Sequence, residues 1–285
     1  MLARNALSTT LLITFSAALA VSLNGCSSPA GNPNAASLSS NTLVTQVNSS
    51  VRPAADRARD HYRHPAETLT FFQLEPHHTV VEIWPGAGWY SRILAPYLRD
   101  KGRFIAAHWA ADSPVTFFRN SRAAFDREFV QSGQPYGPVH VRMLEPPRQN
   151  QLTADIQADR ILTFRNVHNW MRNDQEQAMF NSMFVALKAG GVLGVVEHRA
   201  PPQFSRAQMI ESGYVSEAYV QKLAEKAGFI LEASSEINAN PADSKNYPAG
   251  VWTLPPTLRL GETDKARYLA VGESDRMTLR FRKPL

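Results

Sequence analysis

The chain has 285 residues, 44% of them hydrophobic and 19% charged, a balance that excludes an intrinsically disordered chain and leaves room for one large domain with its own core. Its net charge of +5 comes from scattered Lys and Arg with no basic run, so no nucleic-acid partner is expected. A single cysteine, Cys26, excludes intramolecular disulfides and any Cys-rich metal site.

Arg4 followed by the apolar run from Leu11 to Leu23 has the charge pattern and length of an export signal, too short to span a bilayer as a stable helix. The run ends in Leu23-Asn24-Gly25-Cys26, which resembles the bacterial lipobox, in which the cysteine becomes the acylated first residue. Residues 1–25 are therefore expected to be a lipoprotein-type signal peptide and Cys26 the lipidation site. Cleavage after Ala18-Leu19-Ala20 by the ordinary signal peptidase remains the alternative. The following stretch, 26–50, is rich in Ser, Asn, Ala and Thr without periodicity, and reads as a flexible tether. The expected location is periplasm-facing, anchored to the membrane by lipid; Ser27 in place of an aspartate favours the outer membrane in lipoproteins that this one resembles.

From residue 51 to 285 short strand-like runs alternate with helix-length segments. Thr79 to Ile83, Arg103 to His108, Val139 to Leu144, Arg160 to Phe164, Val192 to Glu197, Phe229 to Ser234 and Met277 to Phe281 read as strands. Tyr90 to Leu98, Val115 to Ser132, Asp174 to Leu187 and Ser216 to Ala227 read as helices, with Lys188-Ala189-Gly190-Gly191 as a C-terminal cap. This alternation predicts an α/β fold with a mostly parallel sheet covered on both faces, and ligands at the carboxyl ends of its strands. His77 and His78 fall in a strand-entry turn and are expected in solvent. The Pro- and aromatic-rich segment 237–272 is too long for a hairpin and is either a cover for the cleft or a surface flap held by Trp252.

Glu82-Ile83-Trp84-Pro85-Gly86-Ala87-Gly88 lies between a strand and a helix, where glycines let a ligand approach the backbone; a tight turn without ligand is the plainer alternative. This stretch resembles motif I of class I S-adenosylmethionine (SAM) methyltransferases. Together with Arg63 to Thr68, Val81 to Leu98, Phe164 to Trp170 and Leu187 to His198, it resembles a family of predicted methyltransferases with signal peptides. The resemblance implies a Rossmann-like, seven-stranded fold with helices on both faces and SAM as cofactor. It implies that Gly86 and Gly88 hold the methionine part with Glu82 near its amino group, and that Trp84, Tyr90 and His108 complete the cofactor site. Two residues depart from the general pattern: Trp84 stands at the first motif glycine, and His108 ends the second strand where an acidic residue accepts both ribose hydroxyls.

Arg165-Asn166-Val167-His168-Asn169-Trp170 follows the fourth strand, where related methyltransferases place substrate-facing residues. His168 is the expected general base, Asn166 and Arg165 the expected positioning groups, and His198 a further wall of the same cleft. A polar loop with Asn169 or Asn173 capping the next helix is the alternative. His61 and His64 lack a third ligand, so no metal is expected. The function expected is SAM-dependent methylation of a small or envelope-associated acceptor; the alternative is a non-catalytic lipoprotein that binds a ligand or partner in the same cleft.

Overall fold

The computed structural model describes residues 43–285. The expected signal peptide, Cys26 and most of the tether lie outside the described residues. The end of the expected tether belongs to the folded part: Leu43 and Val47 are buried against the core that contains Trp89 and Leu94, and Arg52 pairs with Asp60. None of the described helices is long and apolar enough to cross a membrane.

After a helical segment at residues 43–47 come three short helices: α1 (Ala54–Arg57), α2 (Asp60–Arg63) and α3 (Pro65–Phe71). Then follow β1 (Thr79–Ile83), α4 (Ser91–Leu98), β2 (Arg103–His108), α5 (Thr116–Phe125) and β3 (Val139–Met143). Next are β4 (Ala158–Phe164), α6 (Val167–Met171), α7 (Glu176–Ala186) and β5 (Leu187–His198). The chain closes with α8 (Arg206–Ser212), α9 (Glu217–Ala227), β6 (Ile230–Ser235), α10 (Lys265–Val271) and β7 (Arg276–Arg282). The strands form one seven-stranded sheet in the order β3-β2-β1-β4-β5-β7-β6, parallel except for β7, which runs antiparallel to β5 and β6.

Strand β1 lies inside the sheet between β2 and β4, and its alternate residues feed two cores. Val81 and Ile83 pack on one face with Ile161, Leu193 and Phe180, while Val80 packs on the other with Leu69, Phe72 and Leu94. Burial on both faces is why β1 and β2 read as continuous apolar runs in the sequence. The chain order reverses between β1 and β4, and such a switch leaves a crevice beyond the strand ends.

Some local expectations are corrected. Residues 188–191 are not a cap but the start of β5, because Gly190 and Gly191 exchange backbone hydrogen bonds with Lys283 and draw the segment into the sheet. The single helix expected over 174–187 begins at Glu176, and α6 precedes it, separated by Asp174 at φ 54. Helix α5 ends at Phe125 and continues as a wider π turn, Asp126–Val130. His78 is buried rather than exposed, its Nδ1 accepting the Glu75 amide.

Candidate functional site

At the carboxyl ends of β1, β4 and β5 lies a cleft of about 560 Å³, within the range of small-molecule sites. The loop after β1 supplies Trp84 to Ala87, and the loop after β4 supplies Arg165 and Asn166. Helix α6 supplies His168, β5 supplies His198, and the 237–272 segment brings Val251, Trp252, Pro255 and Pro256 over the same space. All four expected catalytic residues line this cleft. Of the six expected cofactor residues, Trp84 and Gly86 line it.

His168, which lines the cleft, pairs with a buried carboxylate. His168 Nδ1 is 2.9 Å from Glu197 Oε1. Glu197 is fully buried; its Oε1 also accepts the His198 amide at 2.8 Å and its Oε2 the His168 amide at 3.3 Å. Both oxygens therefore act as acceptors, which makes Nδ1 the donor and leaves Nε2 to the cleft that the ring lines. His198, with its ring 5.3 Å from that of His168, binds Ser274 Oγ at 2.5 Å through Nδ1. Burial first, then the charges of His168, Arg165, Arg276 and Arg63, hold His198 well below the usual histidine range, so it is neutral at physiological pH.

The sequence places Glu197 with His198 at the end of the fifth strand, beside the cleft, but assigns it no role of its own. The signal that could have found it is positional: β4 and β5 pair in parallel through Phe164 and Val196, so the residue after Val196 abuts the loop that carries His168. His168, Glu197 and His198 also bring ligand-type atoms within 4.8 Å of one another, a grouping the sequence did not lead us to expect. Two features oppose a cation there: both Glu197 oxygens are engaged, and Arg165, Arg276 and Arg63 act on the His198 imidazole.

The glycine loop divides into a part facing the cleft and a part absorbed by packing. Gly86 has φ 59, and a side-chain carbon added to it would meet no atom within 4 Å, so the backbone there is open. Gly88 has φ 76, but a carbon added to it would lie 2.3 Å from the Phe129 ring, so its glycine is required by close packing of the π turn. Glu82 is buried beneath the loop and accepts from Ser91 Oγ at 2.6 Å. Tyr90 stacks on Phe164 at 3.6 Å and 9°. His108 is fully buried against Phe125, with Nδ1 accepting the Trp109 amide at 2.8 Å. Burial and then Arg122 push its imidazole down to about 3. These four residues, Gly88, Glu82, Tyr90 and His108, thus do not line the cleft.

Trp84 adopts φ 47 and donates its indole N–H to the Leu144 carbonyl at 2.8 Å. Its ring lies 5.3 Å from Trp109, which stacks on Phe118 at 4.4 Å and 7°, so the β2 side of the cleft is an aromatic wall. Asn166 also lines the cleft, but its amide is committed: Nδ2 donates to the Ile83 carbonyl at 2.8 Å and to Thr163 Oγ1 at 3.2 Å. It ties the tips of β1 and β4 together. Beyond it, Arg59, Arg63 and Arg276 converge on the buried carboxylate of Glu273 at 2.6, 3.0 and 3.2 Å.

A SAM-dependent methyltransferase from Aquifex aeolicus superposes with a TM-score of 0.51 at 16% identity, over 79% of this chain and 92% of that one. The [4+2]-cyclase SpnF superposes with a TM-score of 0.52 at 14% identity, over 84% of this chain and 85% of that one. The fold is the Rossmann-like fold of class I methyltransferases. At these identities the likeness speaks for the fold alone, and the two proteins are named for different reactions. No family model matches the sequence, and no curated protein does.

Proposed function

We propose that this chain is a SAM-dependent methyltransferase that acts on an acceptor held beside His168. The observation that carries the proposal is the buried His168–Glu197 pair, whose free ring nitrogen serves the same cleft into which Gly86 opens. The residues present fit the cofactor in a particular way. Gly86 leaves the space that a side chain would fill, suited to close approach of the methionine end, while the nucleoside end would be held by the Trp84 and Trp109 indoles instead of an acidic residue. When bound, SAM supplies an electrophilic methyl group on a sulfonium.

The chain's own residues do the rest. His168 Nε2 takes the acceptor's proton, and Glu197 keeps the ring in the required tautomer and stabilises the imidazolium that forms. Asn166 holds the β1 and β4 tips in register, and Trp252 with Pro255 shields the cleft from water. We extend the proposal to location: an exported protein anchored through Cys26, meeting its acceptor in the cell envelope.

The test is a cycle of His168→Asn, Glu197→Gln and the double variant, assayed for transfer of labelled methyl from SAM to envelope extract at a pH above about 7. His168→Asn should lower turnover by roughly 10²–10⁴-fold, the usual contribution of a positioned base, with SAM affinity kept within a few-fold. Because Glu197 acts through His168, the double variant should be no slower than His168→Asn alone. Additive losses would remove Glu197 from that role, and an unimpaired His168→Asn would remove His168. The aromatic wall and the buried His108 favour one other reading, a protein that binds a ligand in this cleft without chemistry; SAM binding with no transfer to any extract fraction would select it.

A further inference from the structure

Four guanidinium groups meet at one end of the cleft. Arg59, Arg63, Arg165 and Arg276 all act on the Glu273 carboxylate, and Glu197 is the other carboxylate acting on Arg165. Positive charge is therefore in excess in a region of low dielectric, where like charges repel strongly. Glu273 does not use the full donor capacity of its partners: the Nη2 groups of Arg59 and Arg63 are buried with no hydrogen-bond partner. Arg63 is 1% exposed, so this is an orphaned donor in the interior, which a folded protein retains only at a cost.

Arg165 goes further, since its guanidinium makes no hydrogen bond or ion pair among the described residues while it lines the cleft. Its backbone sits at φ 61, a conformation that costs a side chain like arginine about 1–3 kcal/mol. An unpaired charge on a strained backbone is a poor structural element, and both features make sense if the fork is held out for a ligand. Arg59, Arg63, Arg165 and Glu273 share the cleft lining with His168 and His198. Ser274, next to Glu273, bonds His198, whose ring adjoins that of His168, so a group held by the arginines lies beside the base.

We propose that Arg59, Arg63 and Arg165 form an oxyanion subsite that binds a carboxylate or phosphate group of the acceptor. Planar, many-donor guanidiniums suit such groups through paired charge-assisted hydrogen bonds. The assignment of the occupant as the acceptor rests on the methyl-transfer reading; the binding of an oxyanion does not. Two sources share this chemistry, an acid group on the acceptor and the carboxylate of SAM. Adjacency to His168 favours the acceptor, because its nucleophile has to reach that base.

The experiment is calorimetric titration of the full chain with inorganic phosphate and, separately, malonate, each with and without saturating SAM. Wild type should bind at least one of these probes, and Arg165→Asn should weaken that binding at least tenfold, the loss of one charge-assisted contact. The variant should melt no lower than wild type, because Asn tolerates the left-handed backbone better and the unpaired charge is gone. Arg165→Lys, which keeps the charge but not the fork, should fall between the two. Binding of neither probe, or undiminished binding by Arg165→Asn, would overturn the subsite. Competition between the probe and SAM would hand the arginines to the cofactor's carboxylate and overturn the acceptor assignment, whereas affinity within threefold with SAM present supports it. If SAM itself does not bind, the methyl-transfer reading fails, while the probe titration still decides whether the oxyanion subsite exists.

Discussion

Glu82 offers a sharp test of how the glycine loop is built, because its role in the structure differs from the one its motif implies. Its side chain is 2% exposed, and Ser91 Oγ is its hydrogen-bond donor at 2.6 Å. Burial, only partly offset by Ser91 and Arg92, pushes its carboxyl up from an ordinary 4.5 to about 8. The native protein therefore holds this proton through a range in which the unfolded chain has lost it. The associated stability is fully present below about pH 4.5 and is lost as pH rises through about 8. At about 1.4 kcal/mol per pH unit, the loss on going from pH 4.5 to neutrality is roughly 3 kcal/mol, an upper bound for a group so deeply buried. Glu82→Gln cannot ionise and still offers Ser91 an oxygen. In urea titrations followed by Trp fluorescence, the variant should gain about 2–3 kcal/mol over wild type near pH 7, and the gain should vanish toward pH 4.5. SAM affinity should stay within a few-fold, since the side chain does not line the cleft. Parallel stability curves across this range would refute the burial argument, and a tenfold loss of SAM affinity would restore the contact implied by the motif.

The two loop glycines should behave oppositely: Gly86→Val should abolish SAM binding in a protein that still folds, whereas Gly88→Ala should lower stability by roughly 1–3 kcal/mol through its clash with Phe129, measured as a shift in urea midpoint. Glu273 titrates in the opposite sense to Glu82, because Arg63, Arg276, Arg59 and Arg165 together outweigh burial and hold its carboxyl down to about 2. Its contribution is present above about pH 4.5 and lost as pH falls toward 2, so Glu273→Gln should be less stable than wild type near neutrality and the two should converge in acid. If Cys26 is acylated, Cys26→Ser should move the protein from the membrane to the soluble fraction, and a variant that still pellets with membranes would count against the anchor.

Several features of this molecule are dictated by local pattern. Short apolar runs bounded by turn residues place β1 and β2 to the residue and β4 and β7 to within two, because strands buried on both faces are apolar over most of their length. Ser216 and Gly228 mark the ends of α9 for equally local reasons, a side-chain cap and a left-handed residue. The cleft's position is also legible, because loops after parallel strands gather at one edge of the sheet, bringing Gly86, Arg165, His168 and His198 together.

What chain neighbours cannot decide is which polar groups are buried, and against what. Glu197 meets His168 across 29 residues and Glu273 meets Arg63 across 210, so neither pairing leaves a trace in local periodicity. Residues 188–191 look like a helix cap until Lys283, from the far end of the chain, pairs with them as a strand. Gly88, Glu82 and His108 look like ligand contacts in one dimension, yet Phe129, Ser91 and Trp109 claim them in three. Turn geometry and strand period act over a few residues, whereas the cost of burying a charge depends on every group packed around it. The strand ends were therefore written locally, and the electrostatics of the cleft were left to the tertiary structure.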